Sequence, residues 1–150
     1  MIRDDINEAV KAAMKSGDRA RLSTLRMVTS AIKNAEIDAR TSGREIGDEA
    51  VLSLLQKLVK QRQESAGLYE KGGRGELAAQ ERAEIAVIQS FLPQQMGEAA
   101  MAAAIDRAVA ETGAAGVKDM GKVMGALKAA HAGRMDFAKA GQMVRTRLGG

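Results

Sequence analysis

Basic side chains are the residues of this sequence whose type and spacing suit a recognisable chemistry, the binding of an anion. Positions 94–150 hold eight Lys and Arg against five Asp and Glu, a net charge of +3, whereas positions 1–93 hold 15 against 14, a net charge of +1. This uneven basic excess favours a polyanionic partner, and a solvated helical surface is the alternative. The candidate binding residues are Lys118, Gly121, Lys122, Lys128, Arg134, Lys139, Arg145 and Arg147.

The geometry expected around Gly121 supports an anion site. Gly121 and Lys122 fall in the first turn of a predicted helix, where unpaired backbone N–H groups lie beside a lysine. Gly121 and Gly125 are four positions apart, and close helix packing would explain that spacing equally well. The sequence has one Tyr and two Phe, so it offers no platform on which unpaired bases could stack. Any RNA contact is therefore predicted to be with phosphates.

Residues for catalysis or metal binding are not recognisable in the sequence. Catalysis needs a nucleophile with a base, a carboxylate pair or a metal. There is no cysteine, and the single histidine, His131, lies near a predicted helix end, which indicates a structural role. The adjacent carboxylates Asp4–Asp5 and Asp48–Glu49 fit the first turns of helices. We therefore predict no catalytic residue, no metal site and no cofactor.

The composition also bears on compartment. The absence of cysteine suits a reducing environment, and the charged first 15 residues do not resemble a secretory signal. The longest uncharged apolar run, positions 99–105, is far shorter than the ~20 residues that a bilayer requires. These features predict a soluble, cytoplasmic protein without membrane contact.

Positions 1–93 carry four amphipathic patterns of helical period, and no strand pattern is found. Gly17 is a predicted helix end, and Asp18 and Asp48 are predicted N-caps of the next two helices. The glycine-rich stretch 72–75 matches neither phosphate-binding fingerprint and is predicted to be a turn. Four helices joined by short loops predict a bundle-like N-terminal domain.

Pro93, the only proline, separates this part from a smaller one at 94–150. The second part shows three short helical patterns, with Asp119 and Asp136 as predicted N-caps of the last two. The sequence therefore predicts an all-α protein, with an N-terminal helical domain over 1–93 followed by a small three-helix domain over 94–150.

Several stretches together resemble the GatB/YqeY family, specifically its stand-alone YqeY-like proteins. The resemblance covers nearly all 150 residues. The stretches that carry it are Leu22–Arg26, Ala31–Lys33, Lys60–Ser65 with Tyr69 and Gly72–Gly73, Glu84–Ile88, Phe91–Gln95 and Asp119–Met124.

The resemblance implies two helical parts and a likeness to the tail of the B subunit of glutamyl/aspartyl-tRNA amidotransferase, which helps that enzyme to engage tRNA. It also brings an association with glutamine-dependent carbon–nitrogen ligase activity, although no catalytic residue of that reaction can be matched in this sequence. We therefore expect a non-catalytic accessory module that binds tRNA or a tRNA-linked complex. The alternatives are a protein-interaction module without RNA contact and an amidotransferase in its own right.

Overall fold

The computed structural model describes residues 1–149, and their regular structure is entirely helical, which confirms the predicted all-α fold class. A single 3₁₀ turn, Val117–Asp119, precedes the sixth helix. The α-helices in chain order are α1 (Ile2–Ser16), α2 (Arg19–Thr41), α3 (Asp48–Lys71), α4 (Gly75–Gln89), α5 (Glu98–Thr112), α6 (Met120–His131) and α7 (Phe137–Arg147).

The contacts between residues divide the chain into two compact units, Met1–Pro93 and the residues from Gln94 onward. We call them unit 1 and unit 2. Each unit contains its own cluster of buried apolar side chains. The sequence predicts a division at this position, and the independence of the two units as folding domains stays a prediction.

Unit 1 is a four-helix assembly in which α3 and α4 form the most extensive helix pair. The turn at residues 72–74 joins these two helices, as predicted, and Gly73 adopts a left-handed φ of 72° there. Helix α2 packs against α1 and α4. Ile6, Leu55 and Ile88 come from three different helices and are almost completely buried in the common core.

The helix ends of unit 1 agree with the predicted caps at two of the three positions named above, Gly17 and Asp18, and differ at Asp48. Gly17 ends α1 with a φ of 72°, and the Asp18 carboxylate accepts a hydrogen bond from the Arg21 N–H at 3.1 Å, so both predictions are confirmed. The predicted Asp48 cap is wrong. Asp48 is the first residue inside α3, and Gly47 takes the N-cap position without a side-chain bond. Asp48 instead places a negative charge at the positive end of the helix dipole.

Unit 2 packs α5, α6 and α7 against one another. Ile105, Leu127 and Val144 come from the three helices and meet in its core with Met135 from the α6–α7 connection. The Asp136 carboxylate accepts a hydrogen bond from the Lys139 N–H at 3.1 Å and caps α7 as predicted. None of the helices in residues 1–149 is long and apolar enough to cross a membrane.

Candidate nucleic-acid interface

Helix α6 presents one face to the core of unit 2 and the opposite face to the exterior. Val123 and Leu127 are buried, whereas Gly121, Gly125 and Ala129 are exposed. Successive residues of an α-helix are rotated by about 100°, so the three small exposed residues form one stripe along α6. We call Gly121, Gly125 and Ala129 the α6 stripe.

The glycines of the α6 stripe are not required by packing within residues 1–149. A Cβ added at Gly121 or Gly125 would meet no described heavy atom within 4 Å. Close helix packing, one of the two explanations for their spacing, is therefore ruled out for contacts within unit 2. The two glycines leave the backbone of α6 exposed at these positions.

Two lysines border the α6 stripe. Lys122 and Lys128 are both exposed, and the helical rotation places them on opposite flanks of the stripe. Lys118 is exposed in the 3₁₀ turn immediately before the helix. None of the three ammonium groups forms an ion pair within residues 1–149. The α6 stripe is thus flanked by cations that are available to an anion.

Asp119 lies at the start of α6, but its predicted N-cap bond is absent. Its carboxylate points back along the chain and accepts hydrogen bonds from the N–H groups of Ala115 at 2.9 Å and Gly116 at 3.4 Å. The Ala115 hydrogen bond is the main cause that lowers the pKa of Asp119. The Gly116 bond and the charges of Lys122 and Lys118 lower it further.

The stability of unit 2 is therefore expected to depend on pH through Asp119. Its folded-state pKa is lowered, so the ionised carboxylate stabilises the fold above the ordinary value of 3.8, and this stabilisation is lost as pH falls through the folded-state pKa. We expect Asp119→Asn to lower the midpoint of thermal unfolding near neutral pH. The deficit should shrink below pH 3.8.

The matched control is Glu111→Gln, which removes an exposed carboxylate with no hydrogen bond or ion pair in residues 1–149. Its unfolding midpoint should follow that of the unmodified chain. An Asp119→Asn deficit that stays constant down to acid pH would contradict the assigned role.

The basic residues of α7 divide into two groups. Lys139 Nζ lies 3.4 Å from Glu98 Oε2, and Arg147 Nε lies 3.0 Å from Asp106 Oδ1, so both side chains pair with acids of α5. The four side chains are 49% to 74% exposed, so each pair contributes little to stability and can be exchanged at small cost. Arg145 is exposed and forms no ion pair within the described residues.

The predicted candidates are therefore all exposed, but the structure does not gather them at one point. Lys118, Gly121, Lys122 and Lys128 belong to the α6 face. Arg134 lies in the connection between α6 and α7. Arg107 is an exposed cation on α5 that the candidate set omits, although its residue type alone could have marked it.

Exposed glycine in a helix costs stability, which can be measured. Gly125 is absent from the glycines with positive φ, so alanine fits its backbone, and nothing described lies near the added methyl group. We expect Gly125→Ala to raise the free energy of unfolding of unit 2 by about 1 kcal/mol in urea denaturation. Gly113→Ala is the control of opposite sign, because Gly113 ends α5 with a φ of 68°. Destabilisation by Gly125→Ala would show that an atom lies against this position.

Catalytic geometry is not found around the single histidine. The Nδ1 atom of His131 is buried and has no hydrogen-bond partner among the described residues. No group of three or more His, Cys, Asp or Glu side chains within residues 1–149 could hold a metal ion. The exposed basic face of α6 is the candidate site of this part of the chain.

Comparison with known proteins gives the family. The model of the family described as Yqey-like protein matches residues 3–148, so this chain belongs to the YqeY-like proteins. The resemblance inferred from the sequence is thereby confirmed.

The curated relatives cover a shorter part of the chain. The protein "Altered inheritance of mitochondria protein 41, mitochondrial" of Lachancea thermotolerans is 36% identical over 90 residues, 60% of this chain and 47% of that protein. The protein of the same name from Vanderwaltozyma polyspora is 33% identical over 87 residues, 58% of this chain and 46% of that protein. The chain thus matches about half the length of these relatives.

The prediction of a cytoplasmic location is wrong as judged by these relatives, whose names describe them as mitochondrial. The prediction rested on the absence of cysteine and of a secretory pattern. Those properties argue against an oxidising, secreted environment but do not distinguish between reducing compartments inside a cell.

Proposed function

We propose that this chain is a helical accessory module that binds tRNA or a tRNA-linked complex through the exposed face of α6. The observation that carries the proposal is the open α6 stripe with Lys122 and Lys128 on its flanks. Membership of the YqeY-like family supports it through the resemblance to the tRNA-engaging tail of the amidotransferase B subunit.

The α6 face suits a sugar–phosphate backbone for steric and electrostatic reasons. Glycines at positions 121 and 125 let a phosphate approach the helix more closely than larger side chains would allow. Lys122 lies in the first turn of α6, at the positive end of the helix dipole. Lysines contact phosphates as point charges, so this face would read the shape of the backbone more than the sequence of bases.

The number of lysines on this face also sets the expected salt dependence of tRNA binding. Each phosphate contact adds about 0.9 to the slope of log K against log salt for a duplex and about 0.7 for a single strand. With Lys118, Lys122 and Lys128 engaged, the slope should be about −2 to −3. A module of this kind would bind tRNA weakly alone and would gain affinity from a complex that holds both.

A filter-binding titration of the full chain against tRNA at two salt concentrations tests the proposal. Binding should be measurable at low salt and should weaken steeply as salt rises. Binding that is undetectable, or that does not respond to salt, would count against phosphate contacts and against the proposal.

A protein partner without RNA contact is the second candidate, and the α6 stripe also gives it an observation. Small residues on an exposed helix face allow a second helix to pack closely, and Val117, 41% exposed, lies just before α6. In that case replacement of Lys122, Arg145 and Arg147 by glutamate should leave capture of the protein partner intact.

A further inference from the structure

A second basic region lies in unit 1, far along the chain from the α6 face. The residues lining a cavity of about 330 Å³ at the end of α2 and the loop after it are Arg3, Glu36, Arg40, Arg44, Glu45 and Ile46. We propose that this cavity binds the terminal phosphate of a small phosphomonoester. The cavity and the guanidinium groups of Arg40 and Arg44, which form no ion pair among the described residues, carry the proposal.

Arg3 is held in place by two anchors. Its Nε lies 3.1 Å from Glu36 Oε1, and its Nη2 donates a hydrogen bond to the carbonyl oxygen of Ile46 at 2.6 Å. Both side chains of the ion pair are only about one-third exposed, at 33% and 34%. The bonds tie α1 to α2 and to the following loop, so this wall of the cavity is preorganised.

The loop itself is also fixed close to Arg44. Gly43 has a φ of 67°, and the N–H of Arg44 donates a hydrogen bond to the carbonyl oxygen of Ala39 at 2.8 Å. This bond closes the C-terminal end of α2 and sets the position from which the Arg44 side chain extends. Arg40 lies in the last turn of the same helix. Two arginines therefore converge on the cavity from an ordered turn.

The charges lining the cavity leave an excess of cations. Glu36 is neutralised by Arg3, whereas Arg40 and Arg44 form no ion pair within residues 1–149. Glu45 opposes one of these two charges. An adjoining cavity of about 190 Å³ shares Arg3 and Glu36 with the first, and it adds Lys33 as a further cation.

These features favour a phosphomonoester over other anions. A guanidinium group presents parallel N–H donors that match phosphate oxygens, and two such groups suit a dianion better than a singly charged phosphodiester. The volume is at the lower end of the range for small-ligand sites. Asn7 and Thr29 line the adjoining cavity and could bind polar groups on the remainder of the ligand.

Calorimetric titration of the full chain at low ionic strength tests the inference. The probes are inorganic phosphate, a nucleoside 5′-monophosphate and a dinucleoside phosphodiester. We expect the first two to bind and the third to bind at least about tenfold more weakly. Affinity for the monophosphate should rise as pH increases through about 6, where the phosphate gains its second charge.

The double variant Arg40→Gln/Arg44→Gln should weaken monophosphate binding about tenfold or more, without a change in unfolding midpoint, because both side chains are exposed. Arg19→Gln/Arg26→Gln is the matched control, since it removes two exposed arginines from α2 outside both cavities. Absence of phosphate binding at millimolar concentration overturns the proposal, as does an equal loss in the control. Equally tight binding of the phosphodiester overturns the assignment of a monoester.

Discussion

Leu127→Ala is expected to unfold the three helices of unit 2 while unit 1 stays folded. Leu127 is 1% exposed and lies in the buried cluster that α5, α6 and α7 share. Truncation of a buried leucine to alanine costs about 2–5 kcal/mol. A core in a unit of this size supplies only about 3–5 kcal/mol of net stability, so the loss approaches the whole.

Circular dichroism and amide hydrogen exchange would measure this result. The amides of α5–α7 should lose protection, whereas those of α3 and α4 should keep it. Val117→Ala is the control, because Val117 is 41% exposed and its truncation should change stability by less than about 0.5 kcal/mol. Equal loss of protection in both units would contradict the expectation and would show that the two units unfold together.

Charge reversal on the α6 face is expected to abolish measurable tRNA binding at moderate salt. The triple variant Lys118→Glu, Lys122→Glu and Lys128→Glu replaces the three exposed lysines of this face, which have no ion pair within residues 1–149. Each removed phosphate contact lowers the salt slope by about 0.7–0.9, and the introduced carboxylates repel the backbone. We expect at least about a hundredfold loss of affinity, because each reversal exchanges an attraction for a repulsion.

A control variant with the same change in net charge distinguishes an effect of the α6 face from an effect of the overall charge of the protein. Arg26→Glu, Lys57→Glu and Lys71→Glu alter three exposed cations of unit 1. This control should retain most of the tRNA affinity, since it leaves the lysines of the α6 face unchanged and phosphate contacts are made by those side chains directly. If both triple variants lose binding equally, the α6 face is not the site.

The fold class could be predicted because helical periodicity and breakers are local signals. The left-handed turns at Gly17 and Gly73 fall where the sequence places glycine after an apolar pattern. The lack of any alternating apolar pattern predicts the absence of strands. These features depend on residues a few positions apart, which sequence alone can compare.

The four aspartates predicted to cap helices show where such signals stop. Asp18 and Asp136 accept the expected backbone hydrogen bonds, whereas Asp48 and Asp119 do not. The residue before Asp48 is a glycine, which can itself occupy the N-cap, so a shift of one residue was not resolvable. The Asp119 carboxylate instead accepts hydrogen bonds from the backbone N–H groups three and four positions earlier in the chain. The 3₁₀ turn that brings these groups together has no sequence signature.

The sequence predicts that the candidate residues are exposed, but it does not predict their ion-pair partners. Lysines and arginines remain at the surface because burial of an unpaired charge is costly, so their accessibility followed from residue type. The partners of Lys139 and Arg147 lie 41 positions away along the chain, and the partner of Arg3 lies 33 positions away. Such pairings depend on how helices pack, which no local pattern encodes.

The start of unit 2 is fastened to the connection between α6 and α7. The Met96 N–H donates to the carbonyl oxygen of Arg134 at 2.8 Å, and Gln95 Nε2 donates to that of Gly133 at 2.7 Å. A pulling force applied at residue 94 would therefore act first on the α6–α7 connection. These two hydrogen bonds would have to break before α5 could separate from the unit. Solvent exchange of the Met96 amide proton therefore measures how often its hydrogen bond to the Arg134 carbonyl oxygen opens.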